Sequence, residues 1–566
     1  MAYEHIGDKQ EQFLRKKKYL EDGQSVEDRY EQIVNRVKDL QDNYPNGAGL
    51  SARILRYLEE GILSPSTPVL ANFGKPRQEG STSLPVSCNI ISVENSVQGI
   101  YGANLEAAML SKLGAGVGID FSFVSDKGTE ISPGFFTNPK MDWIEPIIDT
   151  TQKISQGAQR RGYGVPFIEI TDPEYFELMT AIDKSNPDSG GVLVDNNVGI
   201  KIPKGFMGEI STNKNYQKRL QLALKNRVKS GQVYLCFLEN MDKNKSPVYE
   251  KLGHTPNTTN ICTEAMSPNY KDKTFSCVLS SLNLNHVDEI LANDQIVKDC
   301  FTFLDIINEE YIILSEGVVG LEKARRSAME KRDIGLGVLG FHEMLQRKGY
   351  AFGDLQSRAL NAQIFSYIRD CGEEYTKELA EFRGSCPMAE EAGLTRANVS
   401  LMMVAPNKST AFLCGATSGG IEPFISNCFT QSLAGIQTEF KNPHLEKVLE
   451  EKGKNNFDVW LSITRNLGSV QHLDFLSDRE KDVFRTFSEI SPKDMIDLAA
   501  DRQEFIDMGQ SFNLMNRPNY SQKDIFKLHK YAYDKGIKTL YYFLPQAHAA
   551  IEKEGESWDS CVSCAD

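Results

Sequence analysis

"TNICTEAM" occupies residues 259–266, and in it Asn260, Cys262 and Glu264 alternate. On an extended segment alternate residues point to one side. A thiol, a carboxylate and an amide would then share a face, giving a sulfur reactant, a general base and a hydrogen-bond clamp. A polar surface strand has the same spacing, so these residues alone leave both readings open. β-Type runs recur at 116–123 ("GVGIDFSF"), 164–170 ("GVPFIEI"), 232–238 ("QVYLCFL"), 275–284 ("FSCVLSSLNL") and 539–543 ("TLYYF"). Helical stretches separate most of them, which predicts an α/β fold with mainly parallel strands. Strand order and closure cannot be read from this pattern.

Two helices stand out further away. Ser25 and Asp28 form a capping box ahead of apolar Tyr30, Ile33, Val34, Val37 and Leu40, within a region, 10–60, that reads as helical. A second helix is predicted over 358–383, with Leu360, Ile364, Ile368, Cys371, Tyr375, Leu379 and Phe382 on one face, so Cys371 reads as core. The chain has 566 residues, 40% hydrophobic and 25% charged, with net charge -14. That balance argues against nucleic-acid binding, which wants clustered Lys and Arg; "RKKK" at 15–18 reads as a solvated helix face. No run approaches about 18 consecutive apolar residues, so no membrane span is expected. The polar start is not a signal peptide. The 11 cysteines read as reduced thiols of a cytoplasmic chain, not a disulfide scaffold.

"GLGVLG" (335–340) matches a dinucleotide-binding pattern, but charged "MEKRD" precedes it where a strand is required. Tight helix packing or a turn is the expected use of these glycines. "SCVSC" at 560–564 holds a Cys-x-x-Cys pair, Cys561 and Cys564, behind a polar stretch without packing period. Zinc takes four N/S ligands, and no further pair lies near.

At this point the chain resembles the large, catalytic subunit of class I ribonucleotide reductase. Asn-x-Cys-x-Glu resembles that family's active-site loop. In the family's order follow "LSPSTPVLAN" (63–72), "SLPVSCNI" (83–90), "KLGAGVGID" (112–120), "SQGAQRRG" (155–162), "CVLSSLNL" from Cys277, "RDIGLGVLGF" (332–341), "PNKST" (406–410), "ATSGGIEP" (416–423), "KTLYYF" (538–543) and the terminal cysteine pair. The resemblance implies a ten-stranded α/β barrel of two five-stranded parallel halves around a central finger loop. It divides the chain into a helical N-terminal region (1–60), the catalytic barrel (61–545) and a flexible redox tail (546–566).

The resemblance also implies roles. Cys262 becomes a thiyl radical, Glu264 is the base, Asn260 clamps the ribose, and Cys88 and Cys277 supply two electrons. Tyr541 and Tyr542 relay the radical from a separate ferritin-like, metal-containing small subunit, so no cofactor or metal is expected on this chain. Cys561 and Cys564 shuttle electrons from thioredoxin or glutaredoxin. Substrate, expected to be a ribonucleoside diphosphate, is assigned to Thr67, Ser87, Ala115, Gly116, Asn260, Glu264, Asn407, Ser409 and Thr410. Nucleoside triphosphate effectors are assigned to Asn95, Ser96, Lys127, Gln156 and Arg160, although "FSFVSDKG" (121–128) offers only Lys127 where the family often has Arg-x-Arg. A homodimer is expected. Catalytic resemblance begins almost at the N-terminus, so no ATP-binding activity module, and no dATP inhibition through one, is expected. Alternatives are an adenosylcobalamin-dependent reductase and a non-catalytic nucleotide- or zinc-binding relative. Cys236, Cys300, Cys386, Cys414 and Cys428 read as structural.

Overall fold

The computed structural model describes residues 3–75, 84–86, 88–154, 162–183, 193–194 and 196–545. Nine strands form its main sheet: β1 (Leu63–Pro65), β2 (Cys88–Ser92), β3 (Gly116–Asp120), β4 (Tyr163–Glu169), β5 (Val198–Ile202), β6 (Val233–Phe237), β7 (Phe275–Asn283), β8 (Ile334–Leu339) and β9 (Thr539–Leu540). From β2 to β6 each strand pairs with the next in parallel. These strands are buried, as their runs of Val, Ile and Leu require when helices cover a parallel sheet.

A second parallel set continues from β7. β8 pairs with β7, Leu336 bridges to Met402, Val404 bridges to Gln510, and Leu514–Asn516 pairs with Phe543–Pro545, all in parallel. The two sets meet antiparallel at two seams. At one, Cys277 of β7 lies opposite Cys88 of β2; at the other, Leu540 of β9 lies opposite Leu235 of β6. Five segments on each side thus close into the expected barrel. β1 pairs antiparallel with β7, Leu63 opposite Leu282.

Inside the barrel stands a finger. Thr258–Thr259 pairs antiparallel with Met266–Ser267, and Cys262 sits at the tip. Small residues make room for it. A Cβ on Gly118 of β3 would lie 2.0 Å from the Thr259 carbonyl oxygen, and one on Gly116 would lie 2.1 Å from Ile261 Cδ1. A Cβ on Gly509 would meet Met266 at 2.3 Å.

The N-terminal helices are Asp8–Lys16, Val26–Leu40 and Leu50–Glu59, and the Ser25–Asp28 capping box forms as expected. The long helix runs Leu355–Arg383, with Cys371 in the core. Phe382, placed on its buried face from sequence, is exposed instead, and Arg383 of the same turn reaches the buried Asp305 carboxylate. "GLGVLG" needs a larger correction. Its first two glycines lie inside β8, where a Cβ on Gly337 would fall 2.5 Å from the Met403 carbonyl oxygen. They serve close strand approach, not helix packing; only Gly340, with φ +77°, makes a turn, into helix Phe341–Arg347. Charged "MEKRD" is the end of helix Glu322–Lys331 and the loop behind it. A hairpin (Cys428–Leu433, Ile436–Lys441) and helices Pro443–Glu451 and Phe457–Arg465 form a smaller core of their own beside the barrel.

Candidate active site

The fingertip is a tight turn. Thr263 N–H donates to the Asn260 carbonyl at 3.2 Å, and Asn260 N–H to the Ala265 carbonyl at 3.2 Å. This corrects the extended reading of residues 260–264. Asn260 and Glu264 converge because they face each other across a hairpin, and Asn260 Nδ2 donates to Glu264 Oε1 at 2.9 Å. Thr263 takes φ +68°, a strained conformation for a β-branched residue. Surrounding hydrogen bonds hold it: Thr539 Oγ1 donates to the Thr263 carbonyl at 3.1 Å, and Gly509 N–H to the Glu264 carbonyl at 2.8 Å.

Three elements converge on this tip. Cys88 Sγ, from β2, lies 3.9 Å from Glu264 Oε1. Cys277 is the cross-strand partner of Cys88. Opposed residues on antiparallel strands have Cα atoms about 4.5–5.5 Å apart, within the range a disulfide spans. Cys88 and Cys277 are not joined in a disulfide here, and Cys277 Sγ donates to Met403 Sδ at 3.2 Å. From the other seam, Tyr541 Oη donates to Cys262 Sγ at 3.7 Å. The Tyr541 and Tyr542 rings lie 4.1 Å apart, and Asn197 Nδ2 donates to Tyr542 Oη at 3.1 Å. Tyr234 of β6 packs on both rings, at 4.8 and 5.4 Å.

Burial sets the electrostatics. It pushes the Glu264 carboxyl above the usual carboxylate range, while hydrogen bonds from its own backbone amide, Asn260, Ser511 and Cys88 hold it back. Burial also raises the Cys277 thiol well above its ordinary value, helped by Cys88, Asp333 and Glu264. That thiol is therefore protonated at neutral pH. The arrangement combines a buried thiol beside a phenol, a carboxylate in a dry site and a dithiol in reach of disulfide formation. Such a set suits radical chemistry that must exclude water.

Thr67 begins helix Thr67–Asn72, just after the β1 residue Pro65 that faces Ser280. Asn407 precedes helix Lys408–Leu413, which carries Ser409 and Thr410, and its Nδ2 donates to Ser281 Oγ at 2.9 Å and to the Val338 carbonyl at 3.0 Å. One strand, β7, therefore carries Cys277 and supports both of these segments. Ala115 and Gly116 lie where β3 begins, under the finger. Asn95 and Ser125 bond each other, Asn95 Nδ2 to Ser125 Oγ at 2.6 Å, and Ser96 caps helix Val97–Lys112. Lys127 donates its backbone N–H to Glu174. Ser87, Gln156, Arg160, Cys561 and Cys564 lie outside the described residues. Among the described residues no cluster of His, Cys, Asp or Glu could hold a metal ion, and no helix is long and apolar enough to cross a membrane.

Sequence reasoning missed Ser511, Asn197 and Tyr234. Ser511 meets the finger, and Asn197 and Tyr234 meet the tyrosine pair, through contacts distant in the chain that no local pattern encodes.

The site can be set beside known proteins. A family model described as ribonucleotide reductase, barrel domain, matches residues 86–221, 217–398 and 388–543. The ribonucleoside-diphosphate reductase large subunit of Invertebrate iridescent virus 3 is 27% identical over 579 residues, covering 89% of this chain and 89% of that one. The large subunit from Caenorhabditis elegans is 25% identical over 576 residues, 88% of this chain and 71% of that one. Among solved structures, the class Id ribonucleotide reductase alpha subunit of Actinobacillus ureae superposes with a TM-score of 0.87 at 31% identity, covering 96% of this chain and 98% of that one.

Proposed function

This chain belongs to the ribonucleotide reductase large-subunit family, and we propose that it reduces ribonucleoside diphosphates to 2′-deoxyribonucleotides as a class I catalytic subunit. The observation that carries the proposal is the convergence on one fingertip: Cys262 against Tyr541, and Glu264 against Cys88 with Cys277 opposite. A metal-containing small subunit supplies the oxidising equivalent. Cys262 loses a hydrogen atom towards Tyr541, and Tyr542 continues the relay. The Cys262 thiyl then takes the 3′ hydrogen of the ribose. Glu264 accepts the 3′-hydroxyl proton, which requires its ionised form at the moment of transfer. Asn260 orients Glu264 and the ribose hydroxyls. Cys88 protonates the 2′-hydroxyl, which leaves as water. Cys88 and Cys277 supply two electrons and two hydrogens in all and end as a disulfide, and Cys262 returns the 3′ hydrogen and recovers its radical.

The segments around Thr67 and Asn407–Thr410 hold the substrate's phosphate side, with Ser87, Ala115 and Gly116 along its path. Asn95, Ser96, Lys127, Gln156 and Arg160 form the effector side, where a single lysine replaces an arginine fork. Cys561 and Cys564 re-reduce the Cys88–Cys277 disulfide and take electrons from thioredoxin or glutaredoxin. The working form is a cytoplasmic homodimer with its small subunit.

The test is diphosphate reduction with candidate small subunits, comparing wild type with Cys262→Ser and Tyr542→Phe. Both variants should lose turnover. Full activity in Cys262→Ser would refute the mechanism, and reduction by this chain alone with adenosylcobalamin would refute the class I assignment.

A further inference from the structure

We propose that Ser511 is a positioning residue whose hydroxyl hydrogen swings between Glu264 and the Cys262 carbonyl as Glu264 gains and loses its proton, which rests on the function proposed above. Ser511 is buried, and its Oγ lies 2.5 Å from the Cys262 carbonyl oxygen and 3.0 Å from Glu264 Oε2. A hydroxyl carries one hydrogen and two lone pairs. While Glu264 is ionised, both neighbours are acceptors, and only one can receive that hydrogen. The charged acceptor makes the stronger bond. Once Glu264 is protonated, its own O–H can donate to Ser511, and the serine hydrogen turns to Cys262. Both contacts are then satisfied. The backbone of the radical cysteine is thereby gripped at the step when the substrate radical forms.

The segment that carries Ser511 suits this role. Gly509 N–H donates to the Glu264 carbonyl at 2.8 Å; Tyr541 N–H donates to the Phe512 carbonyl at 2.9 Å; Tyr542 N–H donates to Asn513 Oδ1 at 2.8 Å. Residues 509–513 therefore join the base to both tyrosines, with Ser511 between them. The titratable groups facing Glu264 are Cys88 from β2 and Cys277 from β7, and Cys262, two residues before it on the finger, bonds Tyr541 from the far seam. Asp333 and Lys331 act on Cys277 in turn. None of these changes in a Ser511 variant, so a shifted acidic limb reports on Ser511 and Glu264.

The experiment is the pH profile of kcat and KM for diphosphate reduction, with the small subunit present, in wild type, Ser511→Ala and Ser511→Cys. Removing a donor from the ionised carboxylate raises its pKa. Ser511→Ala should lower kcat about tenfold, leave KM nearly unchanged, and move the acidic limb up by about one pH unit. Ser511→Cys, a near-isosteric weak donor, should move it the same way by less, and it carries the test alone if the alanine variant does not fold. A limb that stays in place, or moves down, in an active variant overturns the proposal while leaving the reductase reading intact. A wild type without reductase activity overturns both.

Discussion

Gly118→Ala tests whether finger placement sets the rate. The added Cβ would lie 2.0 Å from the Thr259 carbonyl oxygen and 3.2 Å from the Phe167 ring. Thr259 is in the finger's rising strand, and its carbonyl is backbone, so no side-chain rotation relieves the clash. Ordinary contact begins near 3.4 Å, so finger and β3 must part by about 1.4 Å, and a misplacement of about 1 Å can cost 10²-fold in rate. Overpacking of this kind costs about 1–3 kcal/mol of stability. The expected outcome is a folded protein with turnover down about 100-fold, because Cys262 leaves its position against Tyr541. Gly116→Ala is the internal comparison. Its Cβ would meet Ile261 Cδ1, the end of a side chain that can turn away, so its loss should be smaller. Turnover with the small subunit and a chemical dithiol, measured beside a thermal melt, reads both effects. Wild-type turnover in a folded Gly118→Ala protein would refute the reasoning, as would a Gly116→Ala loss greater than that of Gly118→Ala.

Replacing Cys561 and Cys564 together with Ser should leave single-turnover chemistry intact and abolish multiple turnover driven by thioredoxin; rapid-quench product analysis separates the two. Asp305→Asn should destabilise the fold without touching the fingertip. Burial pushes the Asp305 carboxyl up, but Arg332 and Arg383 overcome this and hold it well below the usual range. A depressed carboxylate pKa contributes stability above the unfolded value, about 3.9, and loses it as pH falls through the folded value. Urea midpoints should therefore fall in acid for wild type. Asp305→Asn should lose about 3–5 kcal/mol at neutral pH and show a flatter pH dependence, since two arginines lose their buried partner.

Some of this was legible in the sequence for clear physical reasons. β3, β4, β6 and β7 bury both faces and so appear as apolar runs. The fingertip set was legible through resemblance, while its period-2 reading misjudged the backbone. Asn260 and Glu264 meet across a turn that local spacing does not encode. β2 and β5 escaped because "CNIIS" and "VGIKI" are short and mix polar residues into the strand. The glycines of β8 misled because the atoms they make room for, Leu279 and the Met403 side chain at Gly335 and the Met403 carbonyl at Gly337, come from distant parts of the chain.

What no local pattern contains is the meeting of the two half-barrels, and the chemistry follows from it. Cys88 and Cys277 lie far apart in the chain and on different halves, and the antiparallel seam of β2 and β7 sets them opposite each other. The opposite seam, β6 with β9, delivers Tyr541 and Tyr542 immediately after Leu540. The finger spans the interior between them. Cys262 touches the tyrosine seam and Glu264 touches the cysteine seam. Two residues with one strained threonine between them thus join the two seams, which in the function proposed above are the entry of an oxidising equivalent and the source of two reducing ones. Closing the barrel is therefore what assembles the site, because only then do both seams reach one fingertip.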